Sequence, residues 1–480
     1  MASDKIDSPL TEVESGKLKL LKEANTDSLP SNKPLIRRVP NRLSLCYRKE
    51  DGVRYFQPTS VAIGPLNHQR ETNKHSRIQR GEECKLKLAK VFIDECNGKE
   101  EAFYENVKKE IKSLKDCYCF YCFQGQKWTD EDLAFMFLVD GCALLLFIVL
   151  YVDDAWEGFR VTQGLVGIAE VDFFLLENQL PYQLLKILID SFAEASKDDD
   201  LKRLFKKYIT AFVDKSFFNL TAPQQHRSQV DHSQPHLSHE QQKEEEEDPV
   251  HLLDLLRTRL MGVKSKKKEW TNKSGWLRTE MKGKRSRYRY SIGNVKELKD
   301  HGIRFKAREK VDSFTEIEFD DRSCRPILRL APIFLHNTTM PLLLNLMAYE
   351  LCPDFKEDCK ITSHLSVLDS LIDNSEDVKE LRDADVLHHG LGSDEAVAEL
   401  FNKISSILVP SLKMHSELSR IHEYCSKKSH LRNRRARFVA KLTDTYFSSP
   451  WSVWVFLGAS ATLIMTVIQT YNSFQGKKLP

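Results

Sequence analysis

The sequence predicts a mainly α-helical protein with one large soluble domain, a small β element and one C-terminal transmembrane helix. Three observations lead to this prediction. Apolar residues recur at helical spacing through most of the chain. Short runs of β-type residues lie between positions 314 and 334. A final apolar stretch has about the 20 residues that a helix needs to cross a bilayer.

Composition divides the chain into four parts. Residues 1–34 are polar and are expected to form a disordered lead. A domain follows over 35–445, interrupted by a disordered acidic and basic insert at 221–290. The anchor covers 446–473 and a short tail covers 474–480.

The charge and the cysteine content of the chain narrow the classes of protein to which it can belong. The 480 residues carry a net charge of only +3, so nucleic acid is not an expected partner. The 11 cysteines are odd in number and irregularly spaced, which is unlike a secreted disulfide scaffold. Residues 1–18 have no apolar core typical of a signal peptide. We therefore expect reduced thiols in the cytosol.

The first ordered elements are expected from Leu35 onwards. Proline and glycine within Tyr55–His68 predict an irregular, extended path. Ser76–Cys96 has helical periodicity, and its apolar stripe comprises Leu86, Leu88, Val91 and Phe92.

Three cysteines follow, at Cys117, Cys119 and Cys122. The Cys119-x-x-Cys122 spacing fits half a zinc site or a redox pair. No second pair of ligands occurs at a matching distance. Small buried residues among aromatic side chains are the simpler interpretation.

The apolar run Leu133–Val152 is long enough to span a membrane, but it contains Asp140. A central aspartate costs roughly 3 kcal/mol on insertion scales, so we favour a buried core helix. Asp140 is then a functional carboxylate, a buried cap or a hydrogen-bonded core acid.

Residues 168–189 also have helical periodicity, with a break expected just before Pro181. Glu170, Asp172 and Glu177 are candidates for acid–base chemistry. The alternative is a set of solvated faces plus a buried Glu–Asn–Gln hydrogen-bonding group. A basic amphipathic helix is expected over 201–218.

The predicted insert has distinct acidic and basic halves. Its first half, Thr221–Asp248, contains histidines that could bind metal transiently, namely His226, His232, His236 and His239. A helix is expected to restart within His251–Arg257. The basic stretch Val263–Arg289 suits an anionic membrane surface, a nuclear signal or a solvated loop.

Short elements are expected after the insert. A helix within Val295–Arg308 should end at Gly302. Strands are predicted at Phe314–Phe319 and Ile327–Phe334, on either side of a polar turn. Further helices are expected at Leu342–Leu351, Ile361–Asn374, Asp394–Leu408 and Leu412–Cys425.

The stretch Trp451–Tyr471 contains no charged residue, and its aromatic residues Trp451, Trp454 and Tyr471 suit the headgroup level. We expect it to bind the lipid bilayer as a single span; the alternative is a buried helix of a soluble protein. Gly458 and Thr462 place small residues four apart, a spacing that favours a homodimer. A basic flank precedes the span and places the body in the cytosol: Arg432, Arg434, Arg435, Arg437 and Lys441.

Several blocks of the chain together resemble one family. They are Val39-Pro40, YFQPTSVAIGPLNH (Tyr55–His68), MFLVDGCALLL (Met136–Leu146), DFFLLENQLPYQLL (Asp172–Leu185), HLLDLLR (His251–Arg257), VKELKDHGIRFK (Val295–Lys306), NLMAYEL (Asn345–Leu351) and the ending Tyr446–Ser473. The chain resembles the plant "domain of unknown function 247" proteins, also grouped as uncharacterised protein family 0481.

The resemblance implies a single-span plant membrane protein of unestablished biochemistry. Some members resemble determinants of grass self-incompatibility, which favours recognition over metabolism. The family has no agreed catalytic residues to transfer. Candidate motif residues are Gly64, Pro65, His68, Asp140, Gly141, Glu177, Asn178, Gln179 and Pro181. The chain departs from the family pattern at Leu66, Asn67 and Phe147.

The favoured function is a membrane-tethered recognition or signalling protein, with an unknown protein partner and no catalysis. No nucleotide, protease, hydrolase or kinase motif occurs, and no catalytic, cofactor or metal residues are predicted. The membrane is the plasma membrane or another endomembrane. The alternative is a membrane-bound enzyme that uses Asp140, Asp172 and Glu177.

Overall fold

The structure is a computed structural model. It describes residues 35–41, 43, 55–68, 76–123, 128–159, 161–221, 248–262, 292–309, 313–322, 326–355, 358–405, 417–428 and 450–475. The predicted lead at 1–34, the acidic and basic stretches at 222–247 and 263–291, and the basic flank at 432–441 lie outside these residues.

Helices dominate the described chain, as predicted. The first half contains α1 (Pro65–His68), α2 (Ser76–Glu95), α3 (Glu100–Lys109), α4 (Ile111–Asp116), α5 (Asp130–Asp153), α6 (Gln163–Asp172), α7 (Tyr182–Ser196) and α8 (Asp200–Thr221). The helix that was expected to restart near His251 is α9 (Leu252–Met261), so this part of the predicted insert is folded.

Short strands and further helices follow. They are α10 (Val295–Asp300), β1 (Arg304–Ala307), β2 (Ile317–Asp320), β3 (Ile327–Leu330), β4 (Ile333–Leu335), α11 (Thr339–Glu350), α12 (Lys360–Leu371), α13 (Ser375–Asp383), β5 (Leu387–His389) and α14 (Asp394–Ser405). Two more helices are α15 (417–428) and α16 (Pro450–Gln475).

Helix α5 is the central element of the helical core. Thr129 begins it with a capping box, in which its side chain and that of Asp132 each accept a backbone N–H. The helix packs against α2, α3, α7 and α8. By length and apolar composition this helix could cross a membrane, yet 78% of its apolar window is buried. The prediction of a buried core helix is confirmed.

The β element is two small sheets. In the first, β3 pairs in parallel with β1 and antiparallel with β2, with Phe319 opposite Leu328. In the second, β4 pairs in parallel with β5. The predicted strand Ile327–Phe334 is therefore wrong as one element, because Pro332 separates two strands that belong to different sheets.

Two local predictions about helices had mixed outcomes. The expected break before Pro181 is confirmed, and Pro181 itself precedes the first residue of α7. The helical periodicity of 168–189 was misleading over 173–180, which forms consecutive turns. In this segment, side chains satisfy the backbone groups that a helix would pair through backbone hydrogen bonds.

Helix α16 contains the predicted span. Its side chains are described for residues 458–472, and the larger apolar ones are exposed: Leu463, Ile464, Met465, Val467, Ile468 and Tyr471. Thr462, Thr466 and Thr470 each donate a hydroxyl hydrogen bond to the carbonyl four residues earlier. These bonds satisfy the hydroxyl groups within the helix.

Candidate functional site

The predicted motif residues converge on an irregular loop, residues 59–64, that crosses the interior between α2, α5 and the 173–180 turns. A buried loop needs partners for its backbone N–H and C=O groups. Side chains from four parts of the chain supply them. We call these side chains, Lys85, Asp140, Asp172 and Asn178, together with Glu177 and Gln179, the polar hub.

Asp172, the last residue of α6, holds the start of the loop. Its Oδ2 accepts hydrogen bonds from the Ser60 amide at 2.7 Å, the Ser60 hydroxyl at 2.8 Å and the Val61 amide at 2.9 Å. Its Oδ1 accepts the Thr59 amide at 3.0 Å. Burial raises the pKa of Asp172, while these donors favour the charged form and oppose that shift.

Asp140 and Lys85 form a buried ion pair at the other end of the loop. Asp140 Oδ1 lies 2.6 Å from Lys85 Nζ, and Asp140 Oδ2 accepts the Gly64 amide at 2.9 Å. Lys85 Nζ also donates to the Ala62 carbonyl at 2.6 Å. Burial alone lowers the pKa of Lys85, but Asp140 and Glu82 outweigh it and raise that pKa.

Gly64 meets two requirements that another residue would not. Its φ of +70° lies in the left-handed region. A Cβ there would also lie 3.0 Å from the Gln179 carbonyl oxygen. The loop therefore passes against the 173–180 turns as closely as the backbone allows.

The side-chain amides of Asn178 and Gln179 bind backbone groups of the loop, of the 173–180 turns and of α9. Asn178 accepts the Ile63 amide at 2.8 Å and donates to the carbonyls of Val61 and Asp172. Gln179 donates to the carbonyls of Phe173 and Leu175 and accepts the Leu253 amide. The expected buried Glu–Asn–Gln hydrogen-bonding group is present.

Glu177 fixes the first described segment, residues 35–41. Its Oε1 accepts the Val39 amide at 2.8 Å, and Arg38 lies 3.9 Å from Oε2. The same segment forms an ion pair between Arg37 and Asp354. Glu177 therefore joins the start of the domain to its centre.

Sequence reasoning missed Lys85 and Asn345. Asn345 donates to the carbonyls of Tyr55 and Pro341 and accepts the Leu176 amide. Each residue is a polar side chain at a position that its helix buries, and that conflict with the apolar pattern was the available signal.

A second buried ion pair was also missed. Arg257 Nε donates to Glu350 Oε1 at 2.9 Å, and Arg257 Nη2 donates to the Asp358 carbonyl. Glu350 Oε2 accepts both the amide and the hydroxyl of Thr362, each at 2.8 Å. The pair ties α9 and α11 to the start of α12.

The remaining motif residues have packing roles or lie at element ends. A Cβ on Gly141 would lie 2.4 Å from Leu188 Cδ1, so Gly141 allows α5 and α7 to approach closely. Pro65 begins α1 and His68 is its last residue. Among the departures from the family pattern, Asn67 donates to the Glu177 carbonyl, and Phe147 packs 4.8 Å from the Phe173 ring.

The cysteines have two different environments. Cys119 and Cys122 are buried, and Cys117 is half-buried. The ring of Tyr118, between them, lies 5.6 Å from that of Phe123. No three His, Cys, Asp or Glu side chains in the described part of the chain are arranged to hold a metal ion.

The hub explains what its carboxylates do. Asp140 and Asp172 accept backbone amides of the loop, and Glu177 accepts the Val39 amide of segment 35–41. Their hydrogen-bonding capacity serves to hold the loop and segment 35–41 in place. This geometry gives the hub a structural role, because its ion pair and its carboxylates fix the irregular path of the loop.

Comparisons with known proteins agree with the blocks in the sequence. The family model DUF247, described as a plant protein of unknown function, matches residues 36–465. A UPF0481 protein of Arabidopsis thaliana is 24% identical over 87% of this chain and 82% of its own length. A second UPF0481 protein of that plant is 24% identical over 38% of this chain and 33% of its own length. No solved structure matches the chain.

Proposed function

Because the chain belongs to the DUF247 family of plant proteins of unknown function, we propose a function from its own geometry: it is an interaction domain tethered to a membrane by α16. The carrying observation is the exposure of the apolar side chains of that helix. Leu463 is 68% exposed and Met465 is 63% exposed. Burying one such side chain is worth roughly 1.5–3 kcal/mol, which the hydrocarbon core of a bilayer would supply.

The contrast between α5 and α16 supports this assignment. Both helices are long and apolar, but the side chains of α5 are covered by α2, α3, α7 and α8. The stretch 451–471 carries no charged residue, whereas α5 contains Asp140, which pairs with Lys85. Helix α16 therefore has the composition of a span, and α5 has the partners of a core helix.

The orientation follows from charge. The basic residues Arg432, Arg434, Arg435, Arg437 and Lys441 precede the helix, and two lysines follow it. By the positive-inside rule the body faces the cytosol, at the plasma membrane or another endomembrane. The partner is then a cytosolic or membrane-associated protein.

An interaction role suits the hub better than catalysis. Its carboxylates are already committed to backbone donors, so their pairing stabilises a scaffold. A rigid scaffold presents loops and surface side chains to a partner at low entropic cost.

The membrane tether is tested by introducing charge into α16. We expect Ile464→Asp with Val467→Asp to release the full-length chain from plant-cell membranes into the carbonate-soluble fraction. Each aspartate near the centre of a span costs about 3 kcal/mol. The matched control, Ile464→Leu with Val467→Leu, should stay in the pellet. Retention of the aspartate variant in the pellet would refute the tether.

The same membrane preparation also tests the orientation of the chain across the bilayer. The chain has glycosylation acceptors at Asn219, Asn272 and Asn337. In sealed vesicles with the cytosolic face outside, protease should digest the body, and glycosidase should leave its mobility unchanged. A protected, glycosylated body would overturn the cytosolic orientation.

A further inference from the structure

Cys119 and Cys122 stand at the two ends of one tight turn. The Cys122 amide donates to the Cys119 carbonyl at 2.8 Å, and Phe120–Cys122 forms a single 3-10 turn. A turn closed in this way keeps its first and last Cα atoms within about 7 Å. A disulfide needs Cα atoms roughly 4.4–6.8 Å apart, so the backbone spacing of the two residues is compatible with one.

The neighbours of the two sulfur atoms differ, and both come from segment 35–41. Arg37 Nη1 donates to Cys119 Sγ at 3.3 Å. This hydrogen bond gives the Cys119 sulfur a cationic donor that the Cys122 sulfur does not share in the described contacts. Cys122 Sγ donates to the Ile36 carbonyl at 3.6 Å, and burial raises the pKa of Cys122 to about 12, so it stays a neutral thiol.

The turn lies at the protein surface. Tyr121, between the two cysteines, is 70% exposed. Cys119 and Cys122 themselves are buried beneath it, so a small oxidant reaches the sulfur atoms through local opening of this exposed turn. Cys117 Sγ contacts the Ser113 carbonyl and Gln183 Oε1, so its sulfur has partners away from segment 35–41.

We propose that Cys119 and Cys122 are a peroxide-responsive thiol pair that controls how tightly segment 35–41 is held. The Cys119 thiolate attacks hydrogen peroxide, the O–O bond breaks, and Cys119 becomes a sulfenic acid with release of hydroxide. The Cys122 sulfur then displaces the sulfenic oxygen, and the S–S bond forms. The two thiol protons leave in two water molecules, and peroxide takes up the two electrons.

Oxidation removes two contacts to the segment. The disulfide has no S–H to donate to the Ile36 carbonyl, and forming the S–S bond draws the Cys119 sulfur away from Arg37. The backbone bonds from Ile36 to the Cys117 carbonyl and from Cys119 to the Ile36 carbonyl remain. The oxidised form thus holds the segment with fewer bonds, and cytosolic reductants restore the thiols.

The disulfide is tested on the full-length chain in isolated membranes. The membranes are treated with hydrogen peroxide, free thiols are alkylated, and peptides covering 117–122 are analysed by mass spectrometry. We expect an unalkylated Cys119–Cys122 disulfide in the wild type and in Cys117→Ser, and its absence in Cys122→Ala. Alkylation of both Cys119 and Cys122, or a disulfide that includes Cys117, would overturn the proposal.

The effect on the segment is measured in the same samples by trypsin cleavage after Arg37 and Arg38. Losing two weak hydrogen bonds should speed this cleavage about fivefold in the oxidised wild type. A thiol reductant should reverse the change. Cleavage that is insensitive to peroxide, although the disulfide forms, would refute control of the segment.

Discussion

At the scale of single residues, Asp172 shows how a buried charge can serve folding. Five donors of residues 59–61 surround its carboxylate, of which three are backbone amides and two are hydroxyl groups. Amides of an irregular buried loop have no helical or strand ladder to join. A carboxylate satisfies several of them at once, because each oxygen has two lone pairs.

We expect Asp172→Asn to lower the free energy of unfolding by about 2–4 kcal/mol. An amide offers one acceptor oxygen, and its NH₂ group would face backbone donors. The measurement is urea unfolding of the full-length chain in detergent micelles. Asp199→Asn is the matched control, because the Asp199 side chain is 91% exposed. Equal effects of the two substitutions would contradict the role of Asp172.

Two buried histidines make stability depend on pH. His251 caps α9 by accepting the Asp254 amide on Nδ1, and its ring lies 4.8 Å from Tyr349. His364 lies 4.8 Å from the Phe314 ring, and neither of its nitrogens has a hydrogen-bond partner within the described structure. Burial lowers the pKa of His251 to about 3 and that of His364 to about 4.

Because both folded pKa values lie below the unfolded value of about 6.5, the unfolded state binds more protons under mild acid. The chain should therefore lose stability as the pH falls below 6.5, by about 1.4 kcal/mol per pH unit for each histidine. We expect His251→Asn, which keeps the cap, combined with His364→Leu to flatten this loss between pH 6.5 and 5. Urea unfolding at several pH values measures it. His422→Asn, at an exposed position, should leave the slope unchanged; an equally steep slope in the double variant would refute the assignment.

At the scale of elements, the close approach of α5 and α7 depends on Gly141. A methyl group there would meet Leu188 Cδ1 at 2.4 Å inside a packed core. The approach is part of what covers the apolar surface of α5.

We expect Gly141→Ala to lower the melting temperature, because overpacking costs about 1–3 kcal/mol and exceeds the gain in helix propensity. Gly167→Ala in α6 is the control, since a Cβ at Gly167 would have no neighbouring atom within 4 Å and the higher propensity of alanine should raise stability. The measurement is the melting temperature of the two variants, from thermal unfolding. A rise for Gly141→Ala would show that the two helices separate without cost.

Helical periodicity in the sequence predicted those helices whose buried face follows from the local pattern of apolar residues. Ser76–Cys96 matches α2 to within one residue, and Gly302, with φ of +79°, ends the turn after α10 as expected. Strands β1 and β5 were missed because each has three or four residues and pairs with a strand distant in sequence. Helix α13 was missed because its short sequence is mostly charged.

At the scale of the whole molecule, the hub was predictable only in part. The sequence pointed to Asp140, Glu177, Asn178 and Gln179 as motif residues, and a buried set was the favoured interpretation. The sequence did not indicate which atoms these side chains would bind, because the partner amides belong to segments 74 to 138 residues away. Proximity over that distance is set by the packing of α2, α5 and the 173–180 turns.

The two buried ion pairs lie at separate places in this architecture. Lys85 with Asp140 joins α2 to α5, and Arg257 with Glu350 joins α9 to α11. Buried pairs of this kind are costly when one partner is removed and are easily replaced as a pair. Their contribution is to specify which helices meet.

The docking of segment 35–41 also has a consequence during synthesis. The Leu35 amide binds Asp354, a residue 319 positions later in the chain. At a translation rate of 5–20 residues per second, roughly 16–64 s pass between the two residues. Through that interval the segment can bond to Cys117, Cys119 and Glu177 but not to Asp354, so its docking stays incomplete. The last contacts of segment 35–41 thus form only after residue 354 has emerged, and a chain that stops earlier leaves this segment more accessible to chaperones.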